Sequence, residues 1–167
     1  ELLKIAQQNF EGSTLKDIQI QFQQADLAAS GWDSGLADQK FGVICAFAVF
    51  HHIPGESLRM RILTQLAKRL APGGIFIHSE WQFLNSQRLR ERILPWETVG
   101  ILDDQIEADD YLLDWRSGGN GLRYVHHFSA IELSHLAEQA GFQIIREFTS
   151  DGEGDQLGLY QAWKLKV

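Results

Sequence analysis

The segment from Phe41 to Trp81 constrains the fold of this chain more than any other. It opens with an almost continuously apolar run from Phe41 to Phe50, which is typical of a parallel strand covered on both faces. After Pro54 an amphipathic helix is predicted, because apolar residues recur at near-helical spacing while basic residues lie off that face. The run Ala71-Pro72-Gly73-Gly74 ends this helix, because proline cannot continue a helix and glycine accepts positive φ. Ile75–Ser79 returns to the sheet, so the segment predicts one β-α-β unit.

The flanking segments predict further elements. Glu1–Phe10 is predicted to be a helix, and Ile18–Gln24 alternates as a strand. Asn85–Leu94 suggests a short polar helix, Trp96–Asn120 has no clear period, and Ser117–Gly121 is predicted to be a flexible loop. Ser129 with Glu132 forms a capping box that begins a helix ending at Gly141. The strands predicted at Phe142–Ser150 and Leu157–Leu165 form a hairpin.

Length and composition indicate one soluble domain. The chain has 167 residues, of which 44% are hydrophobic and 22% charged. A single cysteine, Cys45, excludes a disulfide framework, and a reduced cytoplasmic setting is the simplest expectation. No apolar run approaches the roughly 20 residues that cross a bilayer, so no membrane partner is expected.

Charge is unevenly spread along the chain. The net charge of −7 argues against indiscriminate binding to polyanions. The range Arg59–Arg92 nevertheless holds seven basic and two acidic residues, whereas Glu97–Asp110 holds six acidic and no basic ones. The simplest interpretation of both runs is a solvated surface.

The β-α-β unit resembles the fourth strand, the following helix and the fifth strand of class I S-adenosylmethionine (SAM)-dependent methyltransferases. The resemblance implies an α/β, Rossmann-like sheet that is mostly parallel, with a C-terminal antiparallel hairpin. Neither the family's first two strands nor its Gly-rich SAM loop is present in the sequence. We therefore expect residues 1–167 to be a single methyltransferase domain, truncated at the N-terminus, with a substrate-facing insertion at about 82–128. Such a fragment is expected to be inactive alone.

The resemblance also implies SAM as cofactor and assigns residues to it. Asp26 would accept a hydrogen bond from the adenine amino group, and the backbone amide of Leu27 would meet the ring. Backbone groups of Ala46 and Phe47 would contact the methionine part, with Val49 in its apolar surroundings. The alternatives are that Asp26 opens a turn and that the other residues pack in the core.

Two adjacent histidines follow the first predicted strand. Neighbouring residues point apart and no cysteine or carboxylate cluster accompanies them, so His51 and His52 do not predict a zinc site, and no metal is expected. The resemblance implies that one ring borders the active site, and we predict that this ring is His51.

A second motif, Asp110–Phe128, points to the acceptor. The sequences Asp110-Tyr111-Leu112-Leu113-Asp114-Trp115 and Arg123-Tyr124-Val125-His126-His127-Phe128, followed by Glu132-Leu133, resemble the tRNA wobble-uridine carboxymethyl methyltransferases. Trp81 also matches a tryptophan of that family. This chain departs from the pattern at Asp114, where proline is usual, and at Val125, where a second tyrosine is usual.

The resemblance implies a carboxylate acceptor on a modified wobble uridine in tRNA. Arginine suits a carboxylate or a phosphate, so Arg123, with Arg116 second, is predicted to hold the acceptor. Tyr124 and His126 would orient it, and Trp81 or Trp115 would stack on a base. The alternative is that the aromatic residues cap the core while the arginines are solvated.

Three functions stay open at this point. The leading hypothesis is methylation of the wobble uridine of tRNA. The second is methylation of a small molecule, a carboxylic acid or another metabolite, which the acidic net charge favours. The third is a non-catalytic interaction module with a methyltransferase-like fold. Relatives of the tRNA-modifying type use a small activator protein, which is expected here by family analogy only.

Overall fold

The computed structural model describes residues 1–11, 18–36, 38–116 and 119–166. The chain divides into two compact units, Glu1–Ala37 and Asp38–Val167. A helix with the length and apolarity that crossing a bilayer requires is not found among the described residues.

The first unit contains helix α1 (Leu2–Glu11) and a 3-10 helix (Ser34–Leu36). Helix α1 confirms the helix predicted at the start of the chain. The strand predicted at 18–24 is wrong, because this segment has no ladder partner among the described residues. Its alternating apolar side chains Ile18, Ile20 and Phe22 are exposed, and an alternating pattern forms a strand only where a neighbouring strand pairs with it.

The second unit holds the remaining elements. Its helices are α2 (Glu56–Arg69), α3 (Gln87–Arg90) and α4 (Ala130–Gln139). Its strands are β1 (Phe41–Phe47), β2 (Leu70–Trp81), β3 (Ile93–Leu94), β4 (Asp110–Trp115), β5 (Gly121–His126), β6 (Phe142–Ser150) and β7 (Gly158–Leu165).

The main sheet has the strand order β1-β2-β7-β6. Strands β1 and β2 are parallel, whereas β7 is antiparallel to both of its neighbours. This arrangement confirms the predicted β-α-β unit and the C-terminal hairpin. Helix α2 ends at Arg69, and Gly73 has φ +76°, as the predicted Pro-Gly-Gly stop requires.

The hydrophobic core lies on one face of the main sheet, between the sheet and the helices. Phe76 of β2 and Trp163 of β7 are buried together with Leu63 of α2 and Leu133 of α4 around one small cavity. The expectation that both faces of β1 are covered is wrong. Val43 and Phe47 are more than half exposed, at 56% and 53%, and Cys45 is exposed as well. Strand β1 lies at the sheet edge, and alternate side chains point away from the helices.

A second sheet has the order β3-β4-β5 and is antiparallel throughout. Its core is formed by Phe83, Leu89, Leu113 and Val125. The sequence missed β4 in a region without a clear period, because Leu112 and Leu113 are both buried and so break the alternation of a half-buried strand. Two residues of the loop predicted to be flexible, 117 and 118, lie outside the described part of the chain. The polar helix predicted at 85–94 is reduced to α3, followed by β3.

Helix α4 begins at the predicted N-cap. The Ser129 Oγ accepts a hydrogen bond from the Glu132 backbone N–H at 3.1 Å. The reciprocal half of the predicted capping box is not formed, because the Glu132 carboxylate binds His126 instead.

Candidate active site

A cleft of about 470 Å³ opens at the carboxyl ends of β1 and β2. Ligands of open α/β sheets bind at this edge, outside the carboxyl ends of the strands. The lining comes from both sheets, from the segment that follows β1 and from the turn between β6 and β7. Its residues are Phe47, Ala48, His51, His52, Ser79, Glu80, Trp81, Trp115, Arg123, Asp151, Gly152, Leu157, Gly158 and Tyr160.

The chain leaves β1 through a strained turn at the floor of this cleft. Ala48 has φ +54°, a conformation that residues other than glycine rarely adopt. Its backbone N–H donates to the carbonyl oxygen of Ser79 at 3.0 Å and to the Ser79 Oγ at 3.1 Å. These bonds to β2 hold the turn in place and leave Phe47 exposed at the cleft.

A buried carboxylate links two histidines beside the cleft. The side chain of Glu80 is fully buried, and its Oε2 lies 3.0 Å from the Nδ1 of His51, while its Oε1 lies 2.9 Å from the Nδ1 of His78. The backbone N–H of His51 also donates to Oε2 at 3.0 Å. Burial by itself would raise the pKa of Glu80, but the hydrogen bonds from His51 and His78 outweigh it and lower the pKa, so the group is a carboxylate. His51, His78 and Glu80 are called the Glu80 cluster below.

Strand periodicity explains why Glu80 is buried. His78 and Glu80 lie two residues apart on β2, so both face the core side of the sheet. The His78 ring stacks on Phe76 with a centroid separation of 5.1 Å and meets Trp163 edge-on at 4.5 Å. His78 is therefore fixed by packing, and it fixes one oxygen of Glu80.

The second histidine of the adjacent pair has a separate partner. The Nδ1 of His52 lies 3.1 Å from the carbonyl oxygen of Tyr124. Burial and the neighbouring His51 lower the pKa of His52, so this ring is neutral at neutral pH. The two rings are 4.3 Å apart, but their Nδ1 atoms bind different groups.

Arg123 lies against an aromatic ring at the opposite wall. Its guanidinium carbon is 3.5 Å from the centroid of the Trp115 ring, and both side chains line the cleft. In the β4–β5 register Arg123 pairs with Leu113, and Trp115 pairs with Gly121, so the two side chains are diagonal neighbours on one face of the hairpin. Stacking holds the guanidinium through its face and leaves its N–H edges for an anion.

Tyr124 and His126, which the sequence predicted at the acceptor, do not line the cleft. The Tyr124 hydroxyl donates to the Asp110 Oδ1 at 2.6 Å, and the His126 Nδ1 lies 2.7 Å from the same oxygen. The His126 Nε2 lies 2.8 Å from the Glu132 Oε1. Since successive residues of a strand point to opposite faces, Tyr124 and His126 face away from Arg123.

These residues belong to a larger ion-pair network, called the Asp110 cluster below. Its members are Arg59, Glu107, Asp110, Tyr124, His126 and Glu132. The Arg59 side chain is almost fully buried, and its Nη2 lies 2.6 Å from the Glu107 Oε2. Burial would lower the pKa of His126, but the hydrogen bonds to Glu132 and Asp110 outweigh it and raise the pKa. Burial and the bond to Asp110 raise the pKa of Tyr124.

One group of atoms within the Asp110 cluster has metal-ligand spacing. Glu107, Asp110 and His126 offer ligand atoms that lie within 4.8 Å of one another. The same side chains bind Arg59, Tyr124 and Glu132. Each of the three side chains therefore already has a hydrogen-bond or ion-pair partner: Glu107 and Asp110 accept from Arg59 and Tyr124, and His126 bonds to carboxylates through both ring nitrogens.

The other residues predicted from the sequence lie in varied surroundings. Arg116 is exposed and pairs with Asp114, its Nε 2.7 Å from the Asp114 Oδ2. Ala46 is buried within β1, and Val49 precedes a short 3-10 helix (Phe50–His52). In the first unit the Asp26 Oδ1 accepts a hydrogen bond from the backbone N–H of Ala28 at 2.9 Å, so Asp26 opens a turn, and Leu27 follows it. The cofactor roles assigned to these residues stay predictions.

Three titratable residues of the cleft, Glu80, Asp151 and Tyr160, were not predicted from the sequence. Glu80 carried a usable signal, because a lone carboxylate in an otherwise buried strand is rare unless it is paired. Asp151 carried little signal because hairpin turns are usually polar, and Tyr160 carried little because tyrosine is common in strands such as β7. The Tyr160 hydroxyl donates to the Asp151 carboxylate, and this bond raises the pKa of Tyr160.

Comparisons with known proteins agree with this architecture. A family model described as a methyltransferase domain matches residues 3–147. A SAM-dependent methyltransferase from Methanosarcina mazei is 18% identical with a TM-score of 0.71, over 96% of this chain and 76% of that one. A SAM-dependent methyltransferase from Clostridium acetobutylicum is 14% identical with a TM-score of 0.68, over 99% and 71%. The glycopeptide N-methyltransferase MtfA in complex with SAM is 16% identical with a TM-score of 0.64, over 99% and 73%. A search of curated proteins finds no match.

At these identities the solved structures establish the fold, which is the Rossmann-like class I methyltransferase fold predicted from the sequence. The family match extends over most of the chain. The chain therefore belongs to the methyltransferase-domain family.

Proposed function

We propose that this chain is a SAM-dependent methyltransferase domain whose acceptor carries a carboxylate or another anionic group bound by Arg123. Membership of the methyltransferase-domain family supports the reaction. The solved structures of similar fold support the methyl donor, because they include SAM-dependent methyltransferases and one enzyme with SAM bound.

The residues at the carboxyl end of β1 fit the methionine part of SAM. Phe47 and Ala48 line the cleft there, and the positive φ of Ala48 turns the chain away from its floor. Phe47, at 53% exposure, gives an apolar surface at the place where the resemblance puts the cofactor. When bound, SAM supplies an electrophilic methyl group. Asp26 and Leu27 remain the residues proposed for its adenine.

The single observation that carries the acceptor class is the Arg123–Trp115 stack. The guanidinium lies 3.5 Å from the centroid of the indole, at the wall of the cleft. A stacked arginine loses little further side-chain freedom when it binds an anion, and its planar fork matches a carboxylate or a phosphate. The resulting task of Arg123 is to bind and orient the acceptor, while Trp81 and Trp115 exclude water from it.

The narrowest form of the proposal has tRNA as the acceptor, methylated on a carboxylate of a modified wobble uridine. The motif Arg123-Tyr124-Val125-His126 supports it through the family resemblance. A carboxylate is already ionised at neutral pH, so this reaction needs no base. In this form Trp81 or Trp115 stacks on a base, whereas Tyr124 and His126 act at a distance, because both bind Asp110.

A small-molecule acceptor is the second form, and the charge distribution favours it. The net charge is −7. Arg59, the first residue of the basic run, is only 1% exposed and is paired with Glu107, so it adds nothing to a surface for RNA. A metabolite that contributes one anionic group to Arg123 does not require a basic surface around the cleft.

The test is the substitution Arg123→Ala in the full chain. SAM affinity is measured by calorimetry, and methyl transfer is measured as S-adenosylhomocysteine release with carboxymethyluridine-bearing tRNA and with a panel of carboxylic acids. Losing a charge-assisted hydrogen bond is expected to lower kcat/KM for the active acceptor about 30-fold, with SAM affinity unchanged. Arg146→Ala, at an exposed site on β6, is the matched control. An unchanged kcat/KM in Arg123→Ala would contradict the proposed role.

Salt dependence separates the two acceptor forms. If tRNA is the acceptor, its affinity falls steeply as salt rises, because binding releases counterions from several phosphates. If the acceptor is a small carboxylate, only Arg123 is screened and the dependence is shallow. Turnover of tRNA with no measurable salt dependence would contradict a tRNA-binding surface.

A further inference from the structure

We propose that His51 is a general base held in place by Glu80, and that the methylated atom is therefore a hydroxyl or an amine that loses a proton. This inference rests on the proposed methyltransferase function and narrows its substrate class. The anionic group on Arg123 then serves as a binding handle, and the methyl group goes to another atom of the same acceptor.

The first step of the argument is the position of the His51 ring. His51 lines the cleft together with Trp81 and Arg123. Its Nδ1 is 3.0 Å from the Glu80 Oε2, which also accepts the His51 backbone N–H at 3.0 Å. The Trp81 backbone N–H also lies 3.1 Å from Nδ1 and competes with Glu80 for that nitrogen. Of the two tautomers, the one that donates Nδ1–H to the Glu80 carboxylate is favoured, because hydrogen bonds to an ionised group are the stronger ones. The lone pair of Nε2 then remains for an acceptor in the cleft.

The second step is the charge on Glu80. The side chain is fully buried, and a buried charge is costly unless it is compensated. Hydrogen bonds from two histidines keep the pKa of Glu80 low, so the carboxylate is available to stabilise the imidazolium that forms when His51 accepts a proton. A histidine with a buried carboxylate on one nitrogen and a reacting group on the other is the arrangement that general-base catalysis requires.

The third step is the rigidity of the pair. His78 holds the other oxygen of Glu80 at 2.9 Å and is itself packed between Phe76 and Trp163. Its Nε2 is buried and lacks a hydrogen-bond partner within the described residues. His78 therefore makes its one side-chain hydrogen bond to Glu80, which keeps the carboxylate directed at His51.

The proton distinguishes the two kinds of acceptor. A carboxylate has no proton at neutral pH and is methylated without a base. A hydroxyl or amine uses a lone pair to form the new bond to the methyl carbon, the carbon–sulfur bond breaks with its electron pair going to sulfur, and the acceptor proton goes to Nε2 of His51. A base built into the cleft is useful only to the second kind.

Other titratable groups line the same cleft as His51. They come from the adjacent residue, from β2, from β5 and from the β6–β7 hairpin: His52, Glu80, Arg123, Asp151 and Tyr160. Among these groups Glu80 is hydrogen-bonded to the His51 ring, while the His52 ring packs edge-on against it at 4.3 Å. Substituting Glu80 therefore tests this hydrogen bond separately from the other groups.

The test compares Glu80→Gln and His51→Ala with His135→Ala, which removes an exposed histidine of α4. SAM affinity is measured for each variant, and wild-type product is analysed by mass spectrometry and alkaline hydrolysis. His51→Ala is expected to lower kcat about 100-fold with SAM affinity retained. Added imidazole should restore part of this loss, and His135→Ala should match the wild type. In Glu80→Gln kcat should fall, because a neutral amide no longer stabilises the imidazolium that forms when His51 accepts the proton.

The hydrogen bond between His51 and Glu80 can also be tested without measuring activity. The experiment is an NMR spectrum of the imidazole N–H groups, recorded on the full chain in the absence of SAM. A slowly exchanging Nδ1–H bound to carboxylate is expected for His51 in the wild type and is lost in Glu80→Gln. If Glu80→Gln does not fold, His51→Ala still tests the inference, because Glu80 keeps its bond to His78.

The outcomes separate the inference from the proposed function. A wild-type product that is a base-labile methyl ester would overturn the inference and leave the methyltransferase function intact. So would a His51→Ala variant that retains more than about a third of wild-type kcat. A full-length protein that neither binds SAM nor releases S-adenosylhomocysteine would overturn the proposed function first.

Discussion

The Glu80 cluster and the Asp110 cluster use the same chemistry in different places. In each, a histidine Nδ1 meets a carboxylate oxygen, at 3.0 Å for His51 and at 2.7 Å for His126. The Glu80 cluster borders the cleft, with His51 and Glu80 among its lining residues. The Asp110 cluster is tied to Arg59 of α2 and Glu132 of α4, and His126 does not line the cleft. Both histidines are almost fully buried, with His51 1% and His126 3% exposed, so their position relative to the cleft distinguishes them.

The difference teaches that a histidine–carboxylate pair acquires a chemical task from its surroundings. His126 has carboxylates on both ring nitrogens, so neither nitrogen is left for a ligand. His51 has a carboxylate on one nitrogen and lines an open cleft. We therefore expect substitutions in the Asp110 cluster to change stability, and substitutions in the Glu80 cluster to change activity.

The largest effect is expected from Arg59→Met. This substitution removes a buried guanidinium from Glu107 and from the carbonyl oxygen of Ile53. The expected loss is about 3 kcal/mol of unfolding free energy, since breaking a buried ion pair leaves its partner uncompensated. Urea denaturation measures it, with Arg88→Ala on the exposed face of α3 as the control. A loss below about 1 kcal/mol would show that the network is not structural.

The second-largest effect is expected from Asp110→Asn. It replaces a carboxylate by its amide in the Asp110 cluster, as Glu80→Gln does in the Glu80 cluster. The amide nitrogen would oppose the Glu107 backbone N–H, which now donates to the Asp110 Oδ2 at 3.0 Å. The expected cost is about 2 kcal/mol of unfolding free energy, with kcat/KM of the folded enzyme unchanged. Chemical denaturation and an assay well below the melting temperature measure the two quantities. A large loss of kcat/KM at unchanged stability would return His126 to the catalytic role that the sequence predicted.

A smaller effect is expected in the pH dependence of stability. The pKa of His126 is raised above its ordinary value of 6.5. Its stabilising contribution is therefore complete below pH 6.5 and is lost as the pH rises through the higher folded-state pKa. The difference in unfolding free energy between wild type and His126→Gln should shrink as the pH rises above 6.5. Burial lowers the pKa values of His52 and His127, so their contributions to stability change with pH in the opposite direction. Both proteins contain these two residues, and subtracting one free energy from the other removes their contributions. A difference independent of pH would contradict the assignment.

The smallest effect lies on the acid side and concerns Glu80. The pKa of Glu80 is lowered from 4.5, so its contribution is present above pH 4.5 and is lost as the pH falls through the folded-state pKa. Glu80→Gln should therefore lose less stability than the wild type on acidification below that value. Denaturation at a series of acid pH values measures the unfolding free energy of both proteins. If this free energy falls equally with pH in the wild type and in Glu80→Gln, the result would count against a charged Glu80.

Much of the fold could be predicted because its signals are local. The β-α-β unit, the Ser129 N-cap and the C-terminal hairpin follow from periodicity, capping and turn residues that lie within a few positions of one another. Strand β4 was missed because its two central residues are both buried, and the strand at 18–24 was wrong because alternation alone does not supply a pairing partner.

The site could be predicted only in part, because the sequence signals for it are local as well. The motif around Arg123 identified the hairpin that reaches the cleft, and Arg123, Trp115, Trp81 and His51 all line it. The motif did not indicate that Tyr124 and His126 point the other way, because this depends on the strand in which they lie.

Residue order alone was enough to assign the class of fold and to locate the β-α-β unit, since hydrophobic period and turn chemistry act over short distances. The partner of each buried charge was decided by packing. His51 meets Glu80 across 29 residues of sequence because β1 and β2 are parallel neighbours that end together, with Phe47 opposite Ser79. Arg59 meets Glu107 across 48 residues because α2 packs beside the segment that leads into β4. Such pairings depend on strand register and helix packing, which no local pattern encodes.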